Sequence, residues 1–313
     1  MQRLFKVIFV NIFSIIILLC TVEVIFTVSN YNSEKIDKEL NYKKSNIKKK
    51  YTFSEYIMEQ KIKFEPEADF ILDYEFRKPA LPKETNKKGI LLLGCSFTYG
   101  QFLDNKDAFH SILSKQTNRS VYNLGISGGS PRETLFLLRN RKDLKNIIPN
   151  KDIKYVIYTY IPDQERRLYT DIREIVPSFR LKNKGKALEY YTHNKFIHAS
   201  NIYRNFSNLY YEYLVGEEES FALFSLYLSE ISKEVKNIYG KDIEFIVFIY
   251  PDYDPDNKYK WQKINKNEIT ILNITKKLDI ENNSNAYKIK DDDHPNAKAW
   301  QVIVPALVKE LDL

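Results

Sequence analysis

Four short apolar runs set the limits on how this chain can fold: 89–93 (GILLL), 120–124 (SVYNL), 153–160 (IKYVIYTY) and 243–250 (IEFIVFIY). Each is too short for a buried helix, and the last two are rich in β-branched and aromatic residues, which reads as strand. Stretches with helical spacing separate them, near 107–116, 132–141, 217–238 and 266–278, and a closing helix is expected over 296–310 with Ala299, Ile303 and Leu307 on one stripe. Residues 285–289 give a weaker fifth strand. Strands that are apolar throughout and alternate with helices belong in a parallel sheet covered on both faces. The expected architecture is α/β, a flavodoxin-like three-layer α/β/α sandwich with a five-stranded parallel sheet. Active sites in such sheets gather at the C-terminal ends of strands. The aromatic-rich segment 165–215 interrupts the alternation and reads as a cap-like insertion.

Ahead of the sheet, residues 7–28 (VIFVNIFSIIILLCTVEVIFTV) are strongly polar only at Asn11 and Glu23. At 1.5 Å per residue they reach roughly 33 Å as a helix, enough to cross a bilayer. The run is long for a signal peptide and no small-residue cleavage site follows it, so residues 1–28 are expected to be an uncleaved single-pass membrane anchor. Flanking Lys and Arg nearly balance across the span and do not orient it. Residues 29–88 read as a polar stalk and lead-in, and 89–313 as the catalytic domain. The formal net charge of +7 is concentrated near the anchor: residues 1–50 hold nine Lys/Arg against four acids. A basic excess beside a span matches anionic lipid, whereas a nucleic-acid partner would call for basic residues spread over the folded surface. No nucleic-acid partner is expected. The two cysteines, Cys20 and Cys95, supply neither a disulfide framework nor a thiolate zinc site.

Three loops that follow strands collect the chemistry. The first is Leu93-Gly94-Cys95-Ser96-Phe97-Thr98-Tyr99-Gly100, where Gly94 permits a tight turn that would present Ser96 at the sheet edge. The second is Asn123-Leu124-Gly125-Ile126-Ser127-Gly128-Gly129-Ser130-Pro131, where Gly125 could offer an N–H to a developing oxyanion. The third is Asp291-Asp292-Asp293-His294-Pro295-Asn296, an imidazole with a carboxylate three residues before it. Taken singly each has a plainer reading: a serine in a strand-to-helix loop, a helix start with Pro131 at its first position, and a solvated acidic turn or weak Ca2+ site. No phosphate-binding glycine loop occurs. Cys95 competes with Ser96 as nucleophile on intrinsic reactivity, although adjacent side chains point different ways.

Together, and in this order, the Gly-x-Ser, Asn-x-Gly and Asp-x-x-His-Pro-Asn blocks resemble the SGNH (GDSL-type) hydrolase superfamily over roughly residues 89–310. The resemblance implies that Ser96 is the nucleophile and an oxyanion donor, Gly125 a second donor, His294 the base and Asp291 the acid that orients it. Two departures stand out. Gly94-Cys95-Ser96 replaces Gly-Asp-Ser. After the third strand, Pro162-Asp163-Gln164-Glu165-Arg166-Arg167 lacks the family's Asn, so Gln164 is the expected substitute donor and Arg166 and Arg167 candidate contacts for an anionic substrate group. The implied activity is a serine esterase, most simply a carbohydrate O-acetyl esterase acting on an acylated envelope or exported glycan, or a small ester. No cofactor and no metal is expected, and the catalytic domain is expected outside the cytoplasm. An O-acetyltransferase using the same triad, a lipid or thioester hydrolase, and a catalytically silent glycan-binding scaffold are the alternatives.

Overall fold

Residues Gly89–Gly94 form β1, buried from end to end. Such a strand needs cover on both faces, and its side chains divide accordingly. Leu91 and Leu93 enter one apolar cluster, Ile90 and Leu92 another. The same alternation runs along β3 (Ile153–Tyr160), where Val156, Tyr158 and Tyr160 face the first cluster and Ile157 the second.

The structure is a computed structural model and describes residues 76–141, 153–169, 213–251, 268–275 and 283–313, single positions 144, 148, 261, 264 and 280, and the backbone of 178–182 and 187–191. The expected anchor 1–28, the stalk up to 75 and Cys20 lie outside the described residues. Among the described residues no helix is long and apolar enough to cross a membrane.

In chain order β1 is followed by α1 (Ser96–Tyr99), a 3-10 turn (Asn105–Asp107), α2 (Phe109–Thr117), β2 (Val121–Asn123), α3 (Pro131–Asn140), β3 and α4 (Asp163–Arg167). Next come β4 (Ser178–Lys182), β5 (Ala187–Tyr191), α5 (Glu217–Tyr239), β6 (Glu244–Ile249), β7 (Thr270–Asn273), α6 (Ser284–Tyr287) and α7 (Ala297–Leu311). The main sheet has the order β2-β1-β3-β6-β7 with every neighbouring pair parallel. This is the expected five-stranded sheet. Helices α3 and α5 cover one face through Leu135, Leu138, Phe224 and Leu228. On the other face α2 and α7 meet through Phe109 and Trp300, whose rings stack at 4.4 Å. Strands β4 and β5 form a separate antiparallel pair within the insertion expected at 165–215.

The fifth strand is not where the sequence placed it. Residues 285–289 were the expected strand, but Ser284–Tyr287 is a single helical turn. Residues 266–278 were the expected helix, but Thr270–Asn273 pairs with β6. As an edge strand β7 buries Leu272 while Thr270 and Asn273 stay exposed. Four residues of that kind leave no continuous apolar run to read.

The lead-in also contributes to the fold. Phe76 is buried against the guanidinium of Arg141, and Ala80 pairs antiparallel with Val121 beyond the edge of β2. Folded structure therefore reaches back at least to Phe76.

Candidate active site

Ser96 owes its position to the turn out of β1. Gly94 has φ +139°, which L side chains rarely adopt, and a Cβ there would lie 2.9 Å from the Thr159 carbonyl on the neighbouring strand. The chain reverses into α1, whose first residue is Ser96, so the Ser96 N–H is one of those a helix start leaves without an intrahelical acceptor. At the far end, Arg77 Nε donates to the Tyr99 carbonyl at 2.9 Å, its Nη2 donates to the Gly100 carbonyl, and the guanidinium lies over the Tyr99 ring. A lead-in residue thus holds the C-terminal carbonyls of the four-residue helix that carries Ser96.

His294 comes from a loop stitched at both ends. Ile289 N–H donates to the His294 carbonyl at 2.9 Å and Asn296 N–H to the Tyr287 carbonyl at 2.9 Å. Asn296 caps α7 through Ala299 N–H, while its amide donates to the carbonyls of Ala286 and Lys288. That loop brings His294 Nε2 to 2.7 Å from Ser96 Oγ, across 198 positions of sequence.

The carboxylate on the other imidazole nitrogen is Asp292, not the expected Asp291. Asp292 Oδ1 bonds to His294 Nδ1 and also accepts the His294 backbone N–H at 2.7 Å. Asp291 sits at φ +62°, exposed, in the turn itself. Burial raises the Asp292 pKa, but the hydrogen bonds from the His294 backbone and ring and the imidazole charge outweigh it and hold the carboxyl below its usual value. An ionised Asp292 can only accept, so Nδ1 carries the hydrogen and Nε2 presents its lone pair to the Ser96 hydroxyl. The three aspartates diverge, with Asp293 reaching Lys288 at 3.3 Å. Among the described residues no group of three or more His, Cys, Asp or Glu is placed to hold a metal ion.

Several expected site residues are committed elsewhere. The Gly125 N–H donates to Asn123 Oδ1 at 2.9 Å and so is not offered to a substrate. Gln164 is fully buried with its amide turned to the Thr159 carbonyl of β3 at 3.1 Å. Arg166 and Arg167 both grip Asp163, at 2.7 and 2.6 Å, one helical turn away. Although burial raises the Asp163 pKa, the two guanidinium groups outweigh it and keep the carboxyl low. Arg167 also donates to the Gly129 carbonyl at 3.1 Å, tying α4 to the loop after β2. Cys95 is fully buried in the core.

The loop after β2 also holds a backbone N–H that is not spent, at Gly128. Gly129 N–H bonds to the Ile126 carbonyl at 2.8 Å, closing a turn whose third residue, Gly128, has φ +68° as a type II turn requires. Ser127 Oγ donates to Gln101 Oε1 at 2.7 Å, which fastens this turn to the loop leaving α1. No acceptor among the described residues meets the N–H of Gly128. At Gly125, the expected donor of this block, the N–H is already spent on Asn123 Oδ1.

Solved structures similar to this chain include the following two. A lipase, Lip_vut3, from a goat rumen metagenome shares 14% identity over 71% of this chain and 97% of its own, with a TM-score of 0.44. A member of the lipolytic protein G-D-S-L family from Veillonella parvula DSM 2008 shares 11% identity over 72% of this chain and 97% of its own, with a TM-score of 0.39. The sequence matches no protein-family model and no curated protein.

A buried polar chain links Asn123, Thr98 and His110. Asn123 Nδ2 donates to the Thr98 carbonyl at 2.8 Å and faces His110 Nδ1 at 3.3 Å, while Asn123 Oδ1 takes the Gly125 N–H. This chain joins the helix that carries Ser96 to the loop after β2. Burial, assisted by the charge of Arg77 and opposed by a hydrogen bond to the Lys78 backbone, lowers the His110 pKa to about 3. The folded protein therefore holds His110 neutral, whereas the unfolded chain takes up a proton below the ordinary value of 6.5. Stability should fall as the pH drops from 6.5 toward 3, with no penalty above that window. We expect urea unfolding to lose on the order of 3 kcal/mol between neutral pH and about pH 4 through this one group. His110→Gln should flatten that slope. An equally steep slope in the variant would assign the acid sensitivity elsewhere.

Proposed function

We propose that this chain is a serine ester hydrolase of the SGNH type that removes O-acetyl groups from a carbohydrate. The observation that carries the reading is the 2.7 Å contact between Ser96 Oγ and His294 Nε2, with Asp292 on the opposite ring nitrogen. In this reading His294 takes the Ser96 proton as Oγ attacks the ester carbonyl. The negative charge that develops is met by the N–H groups of Ser96 and Gly128. Collapse of the tetrahedral intermediate expels the alcohol, which takes its proton from His294. Water then attacks the acyl-enzyme by the same route and releases acetate and free Ser96. Asp292 orients the imidazole and stabilises its protonated form.

Two backbone donors make a leaner oxyanion site than three would. One donor is typically worth about 10²–10³ in rate, so turnover is expected to be modest. The O-acetyl glycan assignment is supported by the family resemblance and by the apolar span 7–28. A membrane tether would keep the domain beside envelope or exported polysaccharide.

The direct test is covalent. The full-length chain should be labelled by a fluorophosphonate, and labelling should vanish in Ser96→Ala while persisting in Cys95→Ala. Absence of labelling in the wild-type chain would remove the hydrolase reading, and loss in Cys95→Ala alone would move the nucleophile to the thiol.

A further inference from the structure

Phe102 is an exposed aromatic held beside the catalytic imidazole in a backbone conformation that bulky residues rarely adopt. Its φ is +66°, and its relative exposure is 65%. Both features are unfavourable for a side chain that serves only the fold. Its ring meets the His294 ring edge-on at 5.6 Å, with the planes 84° apart. The buried Phe97 lies against the same imidazole at 5.3 Å. The loop bearing Phe102 is fixed on both sides: Leu103 N–H donates to the Gly100 carbonyl at 3.1 Å, and Gln101 accepts the Ser127 hydroxyl. Strain that persists at an exposed position beside a reacting group points to a function.

The chemistry says which part of a substrate lies there. His294 Nε2 must pass its proton to the departing alcohol, so the alcohol has to sit against the open side of the imidazole. The acyl oxygen is a different substituent of the same carbon, and in the proposed reading it is met by backbone N–H groups and not by the imidazole. An exposed ring in contact with His294 therefore borders the alcohol and not the acyl chain. We infer that Phe102 is a specificity-determining platform for the leaving alcohol, selecting alcohols with a flat or apolar ring face such as a pyranose. This inference rests on the serine-hydrolase reading and deepens it.

The test keeps the acyl group constant and varies the alcohol. Full-length wild type, Phe102→Ala and Phe102→Tyr are compared on methyl acetate, phenyl acetate and a mono-O-acetylated methyl glucopyranoside. Phenyl butyrate and phenyl hexanoate report the acyl side. Phe102→Ala should lower kcat/KM on the two ring alcohols by about tenfold, mostly through KM, as expected for losing an aromatic contact surface. On methyl acetate the fall should be at most about twofold, the acyl-length preference should not move, and Phe102→Tyr should restore the ring-alcohol preference. An equal fall on methyl acetate would mean that Phe102 acts through His294 and overturns the inference. A shift in acyl-length preference, or no change on any substrate, overturns it too. A wild-type chain inert on every ester would sink the hydrolase reading and this inference with it, an outcome distinct from active wild type with an indifferent Phe102→Ala.

Discussion

Ser96→Ala and His294→Ala are each expected to lower kcat for phenyl acetate hydrolysis by several orders of magnitude, approaching 10⁶, and the double variant is expected to be little worse than either single one. The reason lies in the 2.7 Å contact between the two side chains. They act as one unit: a hydroxyl without its base is a poor nucleophile, and a base without the hydroxyl has no proton to move. Residues coupled in this way give grossly non-additive losses, and a triad serine or histidine typically accounts for about 10⁶ in rate. The activity that remains would come from Ser96 and Gly128 N–H groups polarising a bound ester. Steady-state kinetics on the three variants measure this directly. Additive losses, with the double variant about the product of the singles, would show that the two residues do not share a step.

The second large effect separates two adjacent carboxylates. Asp292→Asn should lower kcat by about 10⁴, the loss seen when an orienting carboxylate becomes an amide. The amide N–H₂ cannot accept the Nδ1 hydrogen as the carboxylate does, so the ring would turn or switch tautomer and present the wrong nitrogen state to Ser96. Asp291→Asn, by contrast, changes an exposed residue in a left-handed turn, a conformation that Asn also tolerates, and activity should stay near wild type. The same assay decides between them. Were Asp291→Asn the damaging change, the ring would be oriented from the other side, contrary to the geometry described.

Much of the fold was legible because its strands are buried on both faces. In β1 and β3 alternate residues serve opposite apolar clusters, which writes runs dominated by Ile, Leu, Val and Tyr into the chain. β7 wrote no such run. Its place in the sheet is set by pairing with β6, a long-range fact that a four-residue segment with exposed ends does not advertise. The site follows the same logic. Ser96 and His294 could be picked out because each lies in a loop where this architecture gathers reactive groups. Which of three successive aspartates meets the ring could not, since the left-handed turn at Asp291 decides it and spacing does not. Gly125 was misjudged because the Asn two residues earlier folds its side chain back onto that N–H. Arg166 and Arg167 were misjudged because Asp163, one helical turn away, satisfies both guanidinium groups locally.

The grip of Arg77 on the carbonyls of Tyr99 and Gly100 also bears on how this chain is to be handled in the laboratory. A recombinant fragment trimmed to start at the first strand would contain every triad member yet lack the cation that neutralises the end of the nucleophile-bearing turn. Its serine would be free to drift from the imidazole. Weak turnover by so short a fragment would then reflect a missing brace and not a defective triad, and any soluble version should keep Phe76 and Arg77 in place.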